Sequence, residues 1–215
     1  MATRIVVISP TTRVVPDVTQ AFTALWPEAE LGHIVDDTVY ADVLTKKMGI
    51  TSPIKHRVLN LLRQRALPGA DFANPADVLS HLNARFPMED HSDLFFTMWY
   101  GVYRPVSRTL TYASAGHHPA YLVPADRSDA QPLRNKALMI GATPDTVYVT
   151  GETTVPPGAT VYLFSDGAYE IDTTDGGMWG LNDFVPLLTA PTQPGMAEPV
   201  RLYRAVTKAA GREPL

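Results

Sequence analysis

The chain of 215 residues contains no cysteine. That excludes a disulfide framework, a thiolate metal site and a cysteine nucleophile. No apolar run approaches the roughly 18 residues that a membrane-spanning helix needs. The opening residues, MATRIVVIS, hold a single Arg and a short apolar stretch, which reads as a first strand and not as a secretory leader. There is no internal repeat and no low-complexity tract. The balance of 45% hydrophobic and 19% charged residues is that of an ordinary globular protein, which excludes a chain disordered throughout. One domain or two small ones is expected at this length, with a sizeable core, in the cytoplasm and without a membrane partner.

The formal net charge is −4, and it is unevenly spread. Residues 46–65 carry Lys46, Lys47, Lys55, Arg57, Arg63 and Arg65 with no acid, so the remainder is strongly acidic. Such a run can meet phosphate or nucleic acid. A solvated helix face is the ordinary meaning of a run this short, and nucleic acid is not the expected partner. Proline is abundant, 19 of 215, which implies many short connections.

Periodicity divides the chain into two styles. Residues 4–8, RIVVI, read as a buried strand. Pro16 suits a helix start, and Val18, Phe22 and Leu25 make one apolar helical face before Pro27. Leu31, Ile34 and Val35 make a second strand, giving β-α-β, the opening of a parallel α/β unit. A helix follows from Thr51-Ser52-Pro53, with Ile54, Val58, Leu61 and Leu62 on its apolar face. Another starts at Asn74-Pro75-Ala76-Asp77, with Val78, Leu79, Leu82 and Phe86 facing inward. From residue 95 the period becomes extended. FFTMWYGVY (95–103), TLTYASAG (109–116), AYLV (120–123), TVYVTGETTV (146–155) and TVYLF (160–164) read as a run of antiparallel strands. Residues 181–188 and 200–210 read as helices. The expected class is α+β: an antiparallel β-sheet sandwich flanked by helices over 58–215, preceded by a short α/β piece over 1–57.

The sharpest chemical feature is Tyr162-Leu163-Phe164-Ser165-Asp166-Gly167, a buried strand that ends in a carboxylate and a glycine. A strand end fixes the direction of Asp166, which suits a hard cation. Gly167 is expected to let the chain turn sharply beside it. A strand followed by Asp-Gly is also the composition of a plain turn. Gly116 and His117 lie in a loop between strands, where a histidine ordinarily packs and hydrogen-bonds locally, and His118 adjoins them. The remaining histidines, at 33, 56, 81 and 91, form no spaced metal pair. Asp36-Asp37 follows a strand and reads as a helix cap. Ser9-Pro10-Thr11-Thr12 lacks the glycines of an anion-binding loop. Trp99 and Tyr100 alternate along a strand as core residues do. Glu170 is placed to orient a water or to cap the turn after Asp166, and Ser165 has no base partner.

Taken together, LFFTMWYGVYRPVSRTLTYASAGHHPAYLV, MIGATPD, PPGATVYLFSDGAYEI and GGMWGLNDF come in one order at fixed spacing. These segments resemble the bacterial metal-dependent protein serine/threonine phosphatases (PPM type) of the stage II sporulation protein E kind, with their FFT-x-x-YGV strand, AGHxP loop, IG-x-x-PD turn and SDG-x-x-E strand end. The helices VLNLLRQRALPGADFANPADVLSHLNARF are similar to that family's too. The resemblance spans about 58–215. It implies two Mn²⁺ or Mg²⁺ ions that activate a water against phosphoserine or phosphothreonine, with a phosphorylated regulatory protein as partner, in bacteria often one that controls a sigma factor. In the family the metal ligands are an Asp of an early Gly-Gly-Asp strand, an Asp of an Asp-x-x-Gly turn, the Asp of the SDG strand end and an Asp in a C-terminal Asp-Asp strand. Here Asp166 stands at the SDG position. No Gly-Gly-Asp precedes residue 95. The second position has one candidate, Asp42 in ADVLTKKMG, where Thr45 replaces the expected Gly. The final Asp-Asp strand has no counterpart before Leu215.

Residues 2–57 resemble the first β-α-β of the aspartate/glutamate/hydantoin racemase family. That family works through two cysteines, and the absence of cysteine excludes its chemistry here. The two resemblances together describe a chimera joined near residue 57. Three readings follow. One is a metal-dependent phosphatase domain, weak or inactive because one carboxylate cannot hold two cations. Another is a non-catalytic interaction module. The third, a racemase-like isomerase, has the cysteines against it. An edge strand missing from the sheet would expose unpaired backbone, which either the N-terminal strands or a second copy of the chain would cover.

Overall fold

A computed structural model describes residues 4–9, 30–35, 67–91, 95–173 and 176–211. The helices expected over 16–27 and 51–62, the basic run 46–65 and the pair Asp36-Asp37 lie outside the described residues. In chain order the described strands are β1 (Arg4–Ser9), β2 (Glu30–Val35), β3 (Met98–Arg104), β4 (Thr109–Ala115), β5 (Ala120–Val123), β6 (Gln131–Leu133), β7 (Gly151–Thr154), β8 (Thr160–Leu163), β9 (Ile171–Asp172) and β10 (Met178–Trp179). The described α-helices are α1 (Pro75–Arg85), α2 (Leu181–Thr189) and α3 (Glu198–Ala209). The α+β class read from the sequence is the class observed. No described helix is long and apolar enough to cross a membrane.

The chain forms two compact units. The first comprises Met1–Lys46, Ala120–Pro132 and Pro156–Leu215, and the second Lys47–Pro119 and Leu133–Val155. The division expected at residue 57 rests on sequence resemblance, whereas these units mark how the chain packs.

In the first unit, five of the described strands form a sheet in the order β2-β1-β8-β5-β6, and β9 pairs with β10 separately. β1 runs parallel to β2, from Arg4↔Glu30 to Ser9↔Val35, as the β-α-β reading expects. On its other side β1 runs parallel to β8, while β5 meets β8 antiparallel. The sheet is therefore mixed. Its core gathers Tyr121, Val123, Tyr162, Phe164, Phe184, Leu188 and Leu202, all buried. Each such side chain contributes about 1.5–3 kcal/mol by leaving water. α3 carries Pro199 in its first turn, where the missing N–H costs nothing, and it lies against β1 and β2.

In the second unit, β3, β4 and β7 form an antiparallel sheet in that order. The turn at Pro105 closes the β3–β4 hairpin, with Arg108 at φ 56. α1 packs on β3 and β4 through Val78, Leu79 and Leu82, which join Phe86, Phe96, Ile140 and Tyr148 in a buried cluster. Asn74 and Pro75 begin α1 where the sequence places its start.

Two expectations about strands are corrected. The run from TLTYASAG to AYLV is not one meander, because β5 leaves for the sheet that holds β8. The strand expected over 146–155 pairs only over Gly151–Thr154. Just before it, the Thr150 hydroxyl is taken up by the start of α1. It accepts from the Ala76 amide at 3.2 Å and donates to Asn74 Oδ1 at 2.9 Å. Tyr148 turns inward to the core. Both draw the segment towards the helix and away from the ladder.

Candidate functional site

Asp166 is positioned by the strand before it and the rings around it. β8 reads Thr-Val-Tyr-Leu, β-branched and aromatic, and is buried along most of its length. Phe164 then enters the core, 4.7 Å from the ring of Phe184 and 6.2 Å from Tyr169, edge-on to the latter. Between the buried Phe164 and Tyr169 the chain must turn outward, and Asp166 opens a single 3-10 turn over Asp166–Ala168. Its Oδ1 accepts from the Gly167 amide at 2.9 Å, and its carbonyl accepts from the amides of Tyr169 and Glu170. The carboxylate is exposed. Glu170 thus closes the turn through its backbone, as a capping position does.

The expectation for Gly167 changes in detail. It does not take a positive φ. Its contribution is the N–H that it gives to Asp166. Nearby, burial pushes the Tyr169 phenol up to about 12, and the charges of Glu170 and Asp166 push in the same direction. That phenol is therefore protonated at neutral pH. Asp166 and Glu170 make this corner acidic, yet among the described residues no three His, Asp or Glu side chains gather to hold a metal ion. A pair of divalent cations needs several carboxylates around it. The described donors do not meet that need, and Asp42, the second candidate ligand, lies outside the described residues.

Gly116, His117 and His118 belong to the second unit. Gly116 follows β4 with φ 64, and a Cβ there would lie 3.0–3.1 Å from Met139 backbone and Cβ atoms. Both conformation and space demand glycine. Its amide donates to the Ala137 carbonyl at 3.1 Å. The Ser114 hydroxyl donates to the His117 carbonyl at 3.0 Å. His117 Nδ1 lies 2.7 Å from the His118 carbonyl, and His118 Nδ1 lies 3.1 Å from the Pro119 carbonyl. A carbonyl can only accept, so Nδ1 carries the proton in each ring, and Nε2 holds the lone pair when the ring is neutral. The local hydrogen bonding expected of His117 is what the loop displays. Trp99 is half-buried and stacks on Tyr112 at 5.7 Å. Tyr100, also half-buried, donates its hydroxyl to the Phe72 carbonyl at 3.2 Å.

Two polar groups, one buried and one largely buried, escape the sequence reading. Asn83, 3% exposed, accepts from the Gly141 amide at 2.8 Å and donates to the carbonyls of Thr143 and Pro144. It clamps the IGATPD turn to α1. The available signal was its place one turn beyond Leu79 on the apolar face of α1. The other group is Glu198, in the first unit. Its Oε1 accepts from the Tyr162 hydroxyl at 2.7 Å and from Arg127 Nη2 at 2.8 Å, and Arg201 binds both of its oxygens. Arg127 and Arg201 also donate to the carbonyls of Leu188 and Leu187 at the end of α2. Burial raises the Glu198 pKa. The hydrogen bonds from Arg201, Tyr162 and Arg127 outweigh it and hold the carboxyl below its ordinary value. Burial, the hydrogen bond to Glu198 and its charge push the Tyr162 phenol far up.

Comparison with known proteins adds to this geometry. The sequence pattern of the Stage II sporulation protein E (SpoIIE) family matches residues 54–214. The chain is 32% identical over 103 residues to the phosphoserine phosphatase RsbU of Bacillus subtilis (strain 168), covering 48% of this chain. It spans about a third of that relative's length, 31%. Among solved structures it is similar to the RsbU and RsbW domains of Rv1364c from Mycobacterium tuberculosis. There the TM-score is 0.51 at 17% identity, over 72% of this chain and 42% of that one. The phosphatase domain of the Bacillus subtilis cell fate determinant SpoIIE follows, with a TM-score of 0.46 at 14% identity, over 77% and 68%. At 17% identity, the Mycobacterium tuberculosis structure speaks to a shared fold alone.

Proposed function

The chain belongs to the stage II sporulation protein E (SpoIIE) family, and from that premise we propose that it is a PPM-type serine/threonine phosphatase domain that engages a phosphorylated regulatory protein in the cytoplasm and turns phosphate over weakly or not at all. Phosphatases of this type depend on metal, and Mn²⁺ or Mg²⁺ is the ion such a carboxylate site would take. Support for engagement comes from the match over 54–214 and from the RsbU relative, a phosphoserine phosphatase by name. The observation that carries the second half is the sparse set of described donors around Asp166. It projects from the strand end at which the resemblance expects a ligand, and no cation-holding group of three surrounds it among the described residues.

The test is calorimetric titration with Mn²⁺ of the wild type and Asp166→Asn, paired with hydrolysis of a phosphoserine peptide. The expected result is no saturable Mn²⁺ binding and turnover near background in both proteins. Saturable binding that Asp166→Asn abolishes, together with brisk hydrolysis, overturns the weak-centre reading and calls for further ligands, Asp42 first among them. The second reading, a non-catalytic interaction module, is favoured by the same sparse set of described donors. Phosphopeptide binding without any turnover is its signature.

A further inference from the structure

We propose that β1 (Arg4–Ser9), backed by β2 (Glu30–Val35), acts as an in-chain strand donor to β8, so that the order of the Asp166 turn depends on strands that precede the family match. The match begins at residue 54, so β1 and β2 come from outside it. Even so, the first four residues of β1 pair along all of β8, from Arg4↔Thr160 to Val7↔Leu163. β5 pairs on the opposite side, with Tyr121↔Tyr162 and Val123↔Thr160 in register. β8 is thus an interior strand only because β1 is there. Without β1, one side of β8 would present unpaired N–H and C=O groups beside the buried Thr160, Val161 and Tyr162.

Two further observations point the same way. β1 is itself held on its far side by all of β2, and α3 lies against both strands. Residues 1–46 also fall in one compact unit with 156–215, the stretch that contains β8 and Asp166. From β8 the chain passes through Phe164 and Ser165 straight to Asp166, with no loop to absorb a shift of the strand. Holding β1 in place keeps the Asp166 turn ordered, and withdrawing it loosens the turn. The inference stands whether or not the chain hydrolyses phosphate.

The test uses the full chain carrying Val6→Pro. Val6 pairs in both ladders, and a proline there cannot donate and does not fit a strand flanked on both sides. Amide exchange over Thr160–Leu163, and at Tyr169 and Glu170, is expected to rise at least about tenfold over wild type, while β4 keeps its protection. Unchanged exchange in β8, or equal loss in β8 and β4, overturns the proposal. A second variant tests the pairing without disturbing it. In this cysteine-free chain, Val7→Cys with Leu163→Cys places two thiols on Cα partners of adjacent strands, about 4.8 Å apart, within the span a disulfide bridges. Oxidation is expected to give a crosslink within the monomer. A crosslink between two chains, or none, overturns the assignment of β1 as an in-chain donor.

Discussion

The two compact units hold their landmark turns by different means. In the second unit, the AGHHP loop and the IGATPD turn are fixed by neutral hydrogen bonds and close backbone packing: Asn83 on Gly141, Thr143 and Pro144, and Gly116 on Met139 and Ala137. In the first unit, the Asp166 turn is fixed by aromatic burial at either end and by strand pairing. Behind that strand stands a largely buried charge cluster, Arg127–Glu198–Arg201 with Tyr162. The contrast teaches where each unit is brittle. Neutral clamps fail locally, loosening one turn. A charge cluster fails as a unit, because removal of the shared carboxylate takes an acceptor from three donors at once.

The largest expected effect follows from that. Glu198→Ala leaves two guanidinium groups and a tyrosine hydroxyl buried without their shared acceptor, a loss of about 3–5 kcal/mol. Exchange-resolved denaturation should place this loss in β8 and β5 and spare β4. An equal loss in β4 would break the comparison between the units. The same cluster sets a pH dependence. The Glu198 carboxyl is held below its ordinary value in the folded chain. Unfolded, it titrates near about 4.3. Its stabilisation is therefore complete above that pH and is lost as pH falls through the lower folded value. Acid titration of wild type against Glu198→Gln should show the difference between the two proteins shrinking only on the acid side. A difference that shrinks towards alkaline pH would contradict the sign.

The second unit should respond more mildly. Gly116→Ala forces a side chain into positive φ and against the Met139 backbone, at a cost of about 1–3 kcal/mol. Asn83→Ala leaves the Gly141 amide and two carbonyls without their buried partner, about 1–3 kcal/mol. Asn83→Asp sharpens the point. It keeps the acceptor for Gly141 but turns an acceptor towards the Thr143 and Pro144 carbonyls. If the clamp works as described, Asp rescues little of the loss, as read from the thermal midpoint and from exchange at Gly141.

Much of this was legible in the sequence, and the failures have physical causes. The start of α1 at Asn74-Pro75, the β3–β4 hairpin across Pro105 and the β8 strand end at Asp166 all follow from local chemistry: caps, turn residues and strand composition. Partnership between strands did not follow. β5 is buried at all four positions, so its pattern names no solvent face and therefore no neighbour. The diversion of residues 147–150 rests on the burial of Tyr148 and on a threonine hydroxyl bound to the start of a helix 74 residues earlier, which no local window contains. Asn83 and Glu198 were missed because a polar residue in an amphipathic helix reads as solvent-facing unless its helical phase is counted against Leu79 or Leu202. As for the candidate site residues, the sequence singled out Asp166, Gly116 and His117 by strand end and loop, but it could not supply the hydrogen bonds that orient them.

The smallest expected effect is the most informative about the site. Asp166→Asn removes one exposed charge while retaining Oδ1 as acceptor for the Gly167 amide. Exposed substitutions of this kind usually stay within about 0.5 kcal/mol. The thermal midpoint of the first unit should barely move. The Tyr169 phenol should titrate slightly below its present value of about 12, because burial, its largest cause, remains while one of the charges raising it is gone. A small stability change would mean that the turn is built by Phe164, Tyr169 and the backbone, with the carboxylate spare for whatever the strand end serves. A large one would mean that the carboxylate is spent on the turn itself. The Asp166 corner would then resemble the Asn83 clamp, and the contrast between the two units would disappear at the residue where it matters most.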